Sequence, residues 1–287
     1  MKKKEFIIIT PAHNEEHNIE RLLISVINQV ILPKKWIIVN DRSYDKTEDI
    51  VKLYFKKYDF INYIKIDGTP QHSFGAKVRA INTALETINL KDYDYIGILD
   101  ADISFEKNYF KNIICNFEKN KKLGLAGGKI VEYVDNKFRE HIKSTDSVAG
   151  AVQLFRMKCF EETGGFTPRE YGGEDALIEI KTRMNGWQVQ TITDQEVLHY
   201  GNVTSASIKQ RFRRGFSFYT LGYHPVFHFL RCVYRIKEKP VITGSIAEIS
   251  GYIYALINGR LEISQELKRF LRKEQSDKLK ALFRLSS

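Results

Sequence analysis

The sequence is poor in cysteine and in long apolar runs, and both features narrow the classes of protein that it can encode. Its 287 residues include three cysteines, Cys115, Cys159 and Cys232, which are far apart and odd in number. Neither a disulfide framework nor a thiolate zinc site is therefore expected, and a reducing compartment fits best. The first residues lead into only four apolar ones, too few for a signal peptide.

Membrane-spanning segments and two common nucleotide-binding signatures are also missing. Residues 240–259 have the length of a membrane span, but Glu248 and several glycine and serine residues make them a poor one. After the first apolar run the chain has Pro11-Ala12-His13-Asn14, where an NAD-type enzyme would carry G-x-G-x-x-G. The sequence contains no G-x-x-x-x-G-K-S/T, which excludes a P-loop NTPase.

Acidic residues are scarce only in the last part of the chain. Residues 1–204 carry 29 basic and 29 acidic side chains, and these charges cancel. Residues 205–287 carry 16 basic and 6 acidic side chains, so the whole net charge of +10 comes from this last part. Such an imbalance indicates an anionic partner for this part, although a solvated helical surface would show the same composition.

Short apolar runs alternate with helical patterns up to about residue 130. This alternation predicts βαβ units and a mainly parallel sheet flanked by helices, which is an α/β fold. Ligands of such sheets bind beyond the carboxyl ends of the strands. The predicted strands are Phe6–Ile9, Trp36–Val39, Ile61–Ile66 and Tyr95–Leu99, and helices are predicted to begin near Ile19, Thr47, Ala76 and Asp175.

Polar clusters follow the predicted strands. Burying several carboxylates at one sheet edge is costly unless a cation or a donor-rich ligand is present. The set therefore predicts a ligand site, although each cluster alone is a weak signal. The clusters are residues 11–16, residues 40–47, residues 74–82 and Asp100-Ala101-Asp102, and Glu174-Asp175 comes later at a helix start.

The order of these clusters resembles the family-2 glycosyltransferases over roughly residues 5 to 215. Pro11 to Glu15 is similar to the family's P-x-x-N-E, residues 40–47 to its acidic pair with S-x-D-x-T, and Asp100-Ala101-Asp102 to its D-x-D. The resemblance implies a GT-A type, Rossmann-like fold with a catalytic domain over residues 1–215. Residues 216–287 are expected to form a basic, aromatic, helical C-terminal region.

The resemblance also implies roles for particular residues. Asp102 is the expected metal ligand for Mn²⁺ or Mg²⁺, Asp175 is the expected catalytic base, and Glu174 is its catalytic neighbour. His199 could complete the metal site, although a lone histidine is as often structural. Arg211 and Arg214 would close over the phosphates or face lipid. The expected nucleotide and donor-binding residues are Pro11, Asn14, Glu15, Asp41, Lys77, Asp100, Arg211 and Arg214.

Three departures from the family pattern are visible. Leu177 stands three residues after Glu174, where the family often has an acid, and Lys181 stands where it often has arginine. The Q-x-x-R-W motif of processive synthases is missing, and residues 210–215 lie in its place without the tryptophan. Polymer-extruding activity is therefore not expected.

The resulting expectation is a metal-dependent, inverting transfer of sugar from a nucleotide diphosphate donor, by preference UDP, to a glycan or lipid-linked acceptor. One base opposite the leaving group predicts single displacement. The alternatives are a sugar nucleotidyltransferase and a non-catalytic protein that binds anionic lipid or nucleic acid; for the transferase itself no nucleic-acid partner is expected.

The expected location is the cytoplasm, peripheral on the inner face of the cell membrane. This prediction is based on the basic C-terminal part together with the apolar residues at helical spacing from Ile263 to Phe283. Such a stripe is typical of an interfacial helix, and packing within the protein is an equal alternative.

Overall fold

The computed structural model describes residues 4–68, 75–134, 137–140, 145–201, 207–238 and 240–284. The chain folds as two compact units. The first contains residues 1–168 and 181–203, and the second contains residues 169–180 and 204–287. Phe74 of the third polar cluster lies outside the described residues.

The first half of the first unit alternates strands and helices in the predicted order. Its strands pair in parallel in the order β3-β2-β1-β4. Their carboxyl ends therefore meet at one edge of the sheet, which is where the loops after β1, β2 and β4 begin. The elements are β1 (Phe6–Ala12), α1 (Ile19–Ile27), β2 (Lys35–Asp41), α2 (Thr47–Phe55), β3 (Ile61–Ile66), α3 (Ala76–Leu85) and β4 (Tyr95–Leu99).

The second half of this unit makes the sheet mixed rather than mainly parallel. β8 pairs antiparallel with both β4 and β6, and β5 pairs antiparallel with β9, whereas β6 and β9 are parallel. The half-buried β9 alternates polar and apolar residues, so it lacks the apolar run that marks β1. The elements are β5 (Ile103–Phe105), α4 (Tyr109–Lys119), β6 (Leu123–Val134), β7 (Lys137–Glu140), β8 (Val152–Arg156), α5 (Met157–Thr163) and β9 (Gln188–His199). The helix α6 (Glu174–Met184) begins in the second unit, which contains its residues up to 180, and its last four residues belong to the first.

The core of the first unit lies on the two faces of the sheet. Ile7, Ile8 and Ile9 are all fully buried, although consecutive side chains of a strand point to opposite faces. A strand covered on both faces needs a continuous apolar run, which β1 has. Burial of β1 and β4 on both faces holds their carboxyl ends in place, and thereby the loops that follow.

The second unit is helical: α7 (Ile208–Thr220), α8 (Pro225–Tyr234), α9 (Thr243–Asn258) and α10 (Gln265–Arg284). Ser207 and Gln210 form a capping box at the start of α7, in which each side chain accepts a hydrogen bond from the other residue's backbone N–H. No helix of the described residues is long and apolar enough to cross a membrane. The predicted division at residue 215 falls within α7, and a functional boundary there stays a prediction.

The apolar stripe of α10 packs within the second unit where its side chains are described. Leu267 and Leu271 are buried, and Ile263 and Phe270 are partly buried. The side chains of Leu282 and Phe283 lie outside the described residues. Of the two interpretations that the sequence allowed, packing therefore accounts for the described part of this stripe.

Candidate active site

The loops after β1 and β2 are joined by backbone-to-side-chain hydrogen bonds. The N–H of Asn14 donates to Ser43 Oγ (3.0 Å), and the N–H of Glu15 donates to Thr47 Oγ1 (2.7 Å). The N–H of Tyr44 donates back to Asn14 Oδ1 (3.0 Å). The two predicted clusters thus form one structure, because each supplies the partners that the backbone of the other needs.

Asp45 lies in the loop after β2 and stabilises both this loop and the loop after β1. It accepts hydrogen bonds from the N–H of Thr47 (2.9 Å) and the N–H of Glu16 (3.1 Å). Although desolvation alone would raise the pKa of Asp45, these hydrogen bonds and that of the Thr47 hydroxyl lower it below its usual value. Asp45 is therefore an ionised, structural member of the loop.

Asp41 ends β2 as a buried carboxylate with a charged partner. Arg42 Nη2 lies 2.5 Å from Asp41 Oδ1, and Arg42 Nε donates to the same oxygen (2.7 Å). His13 Nδ1 donates to the Asp41 carbonyl oxygen (2.6 Å). Asn14 and Arg42 each have a φ of 56°, a region that residues other than glycine seldom occupy. Such a strained backbone conformation persists only where the surrounding structure holds it, and residues of this kind cluster at functional sites.

Pro11 is the penultimate residue of β1, where it pairs with Val39 of β2, and its side chain is partly buried. The structure therefore places Pro11, Asn14, Glu15 and Asp41 together at the carboxyl ends of β1 and β2. All four are among the residues predicted from the sequence to bind the nucleotide and donor, and that role stays a prediction.

Asp100 directly follows β4 and contacts a lysine from α3. Lys77 Nζ forms an ion pair with Asp100 Oδ1 and donates to the Gly150 carbonyl oxygen (3.2 Å). Desolvation raises the pKa of Asp100, the Lys77 ammonium opposes it, and the neighbouring Asp102 adds to the increase. A lysine and a carboxylate of raised pKa are thus held together beside the metal-ligand candidate.

Asp102 contacts His199, although 97 positions separate them in the sequence. His199 Nε2 lies 3.3 Å from Asp102 Oδ2, because β5 and β9 pair with Ile103 opposite His199. The hydrogen bond with Asp102 raises the pKa of His199, against the effect of burial. A Cβ at Gly201 would overlap Asp102 Oδ2, so glycine is required for this approach.

The two side chains suit a divalent cation. Asp102 Oδ1 is buried and has no hydrogen-bond partner among the described residues, which is costly for a carboxylate oxygen. A carboxylate and an imidazole are ligands that Mn²⁺ accepts, and Mg²⁺ accepts the carboxylate while keeping several waters. The arrangement therefore fits a bound metal whose remaining ligands come from solvent and substrate.

Glu15 faces the same group of acids from the β1 loop. Desolvation, together with the charges of Asp102, Asp100 and Asp45, raises the pKa of Glu15 to about 7, although a hydrogen bond from Asn18 opposes the increase. Several carboxylates so close together repel each other unless a cation or a donor-rich ligand enters. The first unit thus collects Glu15, Lys77, Asp100, Asp102 and His199 into one site.

Glu132 is a site residue that sequence reasoning missed. It lies on β6 opposite His199 in the pairing of β6 with β9, is buried, and adds to the raised pKa of His199. The only signal was an acid within the apolar run Ile130-Val131-Glu132, inside a region where no strand was predicted. A buried acid in a strand is costly without a partner, so such a residue could have been singled out.

The two catalytic candidates belong to the second unit. Glu174 and Asp175 begin α6, and Asp175 Oδ1 accepts a hydrogen bond from the N–H of Ala176 (2.9 Å). The pKa of the nearby Arg169 is lowered because desolvation outweighs the opposing effect of the charges of Glu262, Glu174 and Asp175. Arg169 fixes the preceding turn by donating to the Gly172 carbonyl oxygen (2.9 Å).

Arg211 and Arg214 also belong to the second unit, on α7. Arg211 Nη2 lies 3.2 Å from Glu238 Oε2, and its Nη1 lies 3.4 Å from Glu248 Oε2. The Arg214 guanidinium lies 5.7 Å from the centre of the Phe218 ring, and desolvation lowers its pKa to about 10. The assignment of both residues to donor phosphates stays a prediction.

More than half of the sequence matches a known family. A model described as Glycosyl transferase family 2 matches residues 7–175, which is more than half of the chain. The chain belongs to this family. The match begins in β1 and ends at Asp175, so it contains most of the site residues described above.

Two curated relatives are similar to part of this chain. A probable glycosyltransferase of Bacillus subtilis (strain 168) is 34% identical over 125 residues, which are 42% of this chain and 28% of that protein. The poly-beta-1,6-N-acetyl-D-glucosamine synthase of Staphylococcus epidermidis is 28% identical over 200 residues, which are 62% of this chain and 46% of the synthase. The chain spans less than half the length of either relative.

A solved structure shows the same fold. The mannosyltransferase PcManGT from Pyrobaculum calidifontis, in complex with GDP-Man and Mn²⁺, is similar with a TM-score of 0.58 and 18% identity. The similarity covers 97% of this chain and 81% of the mannosyltransferase. The predicted GT-A type fold with a helical C-terminal region is confirmed.

Proposed function

We propose that this member of glycosyl transferase family 2 is an inverting, metal-dependent enzyme that transfers a sugar from a nucleotide diphosphate donor to a hydroxyl acceptor. The observation that carries the proposal is the Asp102–His199 pair, with its buried, unpartnered carboxylate oxygen, at the carboxyl edge of the sheet. The proposed acceptor is a glycan or a lipid-linked oligosaccharide.

In this proposal the β1 and β2 loops bind the nucleoside. Pro11, Glu15 and Asp41 would contact the base and ribose, and Asn14 would also bind the donor, since the hydrogen bonds between the two loops hold these residues in place. Lys77 would lie near the nucleotide, and Asp100 would face the ribose or metal-bound water. A UDP-sugar is the preferred donor, and the name of the Staphylococcus epidermidis relative makes UDP-N-acetylglucosamine the first to test.

Asp102 and His199 would hold Mn²⁺ or Mg²⁺. The ion would supply positive charge to the leaving diphosphate. The mannosyltransferase that shares the fold was solved with Mn²⁺, which supports the choice of metal. The orphaned Asp102 oxygen supports the same choice from this chain's own residues.

Asp175 would accept the proton of the acceptor hydroxyl, and Glu174 would help to position that hydroxyl. A single base acting opposite the leaving group gives one displacement and inverts the anomeric centre. Arg211 and Arg214 would neutralise phosphate or face lipid. We further propose that the protein acts in the cytoplasm, peripheral to the anionic inner face of the cell membrane.

The test is donor binding and hydrolysis by the full chain. Thermal shift is measured with UDP, GDP, CMP and dTDP, each with and without manganese, because a ligand that binds only the native state stabilises it. One nucleotide should stabilise the protein only with metal, and the matching nucleotide-sugar should be hydrolysed slowly. Formation of a nucleotide-sugar from sugar phosphate and nucleoside triphosphate would instead show a nucleotidyltransferase. No turnover would leave a binding protein.

A further inference from the structure

The helix α8 exposes its apolar side chains to solvent. Val226, Phe229, Leu230 and Val233 follow one another at the spacing of one helix face, and each is between 37% and 53% exposed. The opposite face buries His228 and Cys232. In a water-soluble helix the apolar face is the buried one, so the polarity of α8 is inverted.

The helix α9 has the same inverted arrangement. Ile246, Ile253, Leu256 and Ile257 are between 50% and 75% exposed. Its buried face consists of small and polar residues: Gly244, Ser245, Ala247, Glu248, Gly251, Tyr252 and Ala255. Val241 and Ile242, which precede α9, are exposed as well. These exposed residues of α8, α9 and the segment between them are called the apolar face here.

The polar residues beneath this face are paired. Glu248 lies within 3.4 Å of Arg211 and 3.6 Å of Arg231, and Ser245 Oγ donates to the Cys232 carbonyl oxygen (2.9 Å). The Arg231 guanidinium lies 4.2 Å from the centre of the Phe218 ring. Polar and charged contacts thus lie on the buried side of α8 and α9, whereas the side chains of the apolar face lie outside.

The close packing of α7 against α9 depends on glycine. A Cβ at Gly215 would overlap the backbone oxygen of Glu248, and one at Gly251 would overlap that of Phe212. Small residues at the helix contact, polar pairs between helices and large apolar side chains outside are typical of helices surrounded by lipid. An exposed apolar area of this kind indicates an interaction surface.

We infer that the apolar face of α8 and α9 inserts into the interfacial region of a bilayer that contains anionic lipid. The charge of this part of the chain favours anionic lipid over a second copy of the chain as the partner. Glu248 is the one acidic residue of these two helices and it is buried, while residues 205–287 carry a net charge of +10. A second copy of the chain would bring like charge against like, whereas anionic headgroups attract it.

The inference rests on the membrane position included in the proposed function and deepens it by naming the surface that binds lipid, which is the apolar face rather than the stripe of α10. It does not depend on sugar transfer, so a failure of the flotation test is distinguishable from a failure of the donor-binding test. No helix of the described residues can span a bilayer, so the attachment would lie in the plane of the interface. Binding should weaken as salt rises, because the electrostatic part is screened.

The test compares flotation of the full chain with vesicles of phosphatidylcholine alone and with about 30% phosphatidylglycerol. The variant Phe229→Gln/Val233→Gln/Ile253→Gln/Ile257→Gln removes apolar area without leaving a core cavity. The matched control, Ile24→Gln/Val30→Gln/Leu32→Gln/Leu53→Gln, removes exposed apolar side chains from the first unit. Wild type and control should float with anionic vesicles, and the α8–α9 variant should bind at least about tenfold more weakly.

Equal flotation of the α8–α9 variant and the wild type would overturn the inference, as would no flotation of the wild type. Sedimentation velocity without lipid gives the rival outcome: a wild-type dimer that the variant dissociates would assign the face to a second copy. Phe229→Trp provides a readout that does not depend on multiple changes. Because the wild type contains Trp36 and Trp187, the readout is the emission gained over the wild type. Brominated lipid should quench the emission gained in Phe229→Trp and should not quench that gained in Leu53→Trp.

Discussion

Replacing Glu15 with glutamine should stabilise the protein at alkaline pH. Burial and the charges of Asp102, Asp100 and Asp45 raise the pKa of Glu15 from its ordinary 4.5 to about 7. Ionised Glu15 is therefore a cost to the folded state, and Glu15→Gln removes that cost. Its side-chain oxygen can still accept the hydrogen bond from Asn18.

The magnitude follows from the pKa. A carboxyl whose pKa rises from 4.5 to about 7 on folding loses about 3 kcal/mol of stability at higher pH. Glu15 is only partly buried, so solvent screening reduces the expected gain to about 2 kcal/mol. For a chain of this size, that gain corresponds to an increase in Tm of roughly 4 to 8 °C.

The pH dependence has a definite sign. Between pH 4.5 and about 7 the folded state holds the proton of Glu15 more tightly than the unfolded state, so stability falls as pH rises through this range. Glu15→Gln should thus match the wild type near pH 4.5 and exceed it above about pH 7. The assay is thermal unfolding by circular dichroism across this range, without metal or nucleotide.

The control is Glu161→Gln, which removes an exposed acid. In a protein of net charge +10, losing any acid adds to self-repulsion, so general electrostatics predicts a small loss of stability for both variants. An equal change in Tm at every pH, or a loss at high pH for Glu15→Gln, would refute the reasoning.

Three further changes test the metal, the base and the helix contact. Asp102→Asn should abolish manganese-dependent nucleotide binding in calorimetry while the Tm without ligand is kept; binding like wild type would reject the assignment. Asp175→Asn should lower kcat by about a thousandfold with donor affinity nearly unchanged, and near-normal turnover would move the role to another group. Gly251→Ala should lower the Tm because the new Cβ would overlap the Phe212 backbone oxygen, and this clash should outweigh the helix preference of alanine, which is about 1 kcal/mol. Gly97→Ala is the control, because a Cβ at Gly97 would make only ordinary van der Waals contacts.

The sequence by itself determined the β1–β4 half of the fold and its polar loops. Apolar runs such as Ile7-Ile8-Ile9 can be buried only in a strand covered on both faces, and the polar residues that follow must lie at the carboxyl edge. Local patterns of this kind need no knowledge of distant residues. The motifs of the family were read in the same way, and the family and fold were confirmed.

Only the tertiary structure decided which distant residues meet. The contact of Asp102 with His199 and the presence of Glu132 opposite His199 depend on strand pairing, which links residues far apart in sequence. The polarity of α8 and α9 was likewise undecided, because helical spacing shows that a helix has an apolar face but not which side is covered. Partners decide that, and here buried pairs such as Arg211 with Glu248 leave the apolar side chains outside.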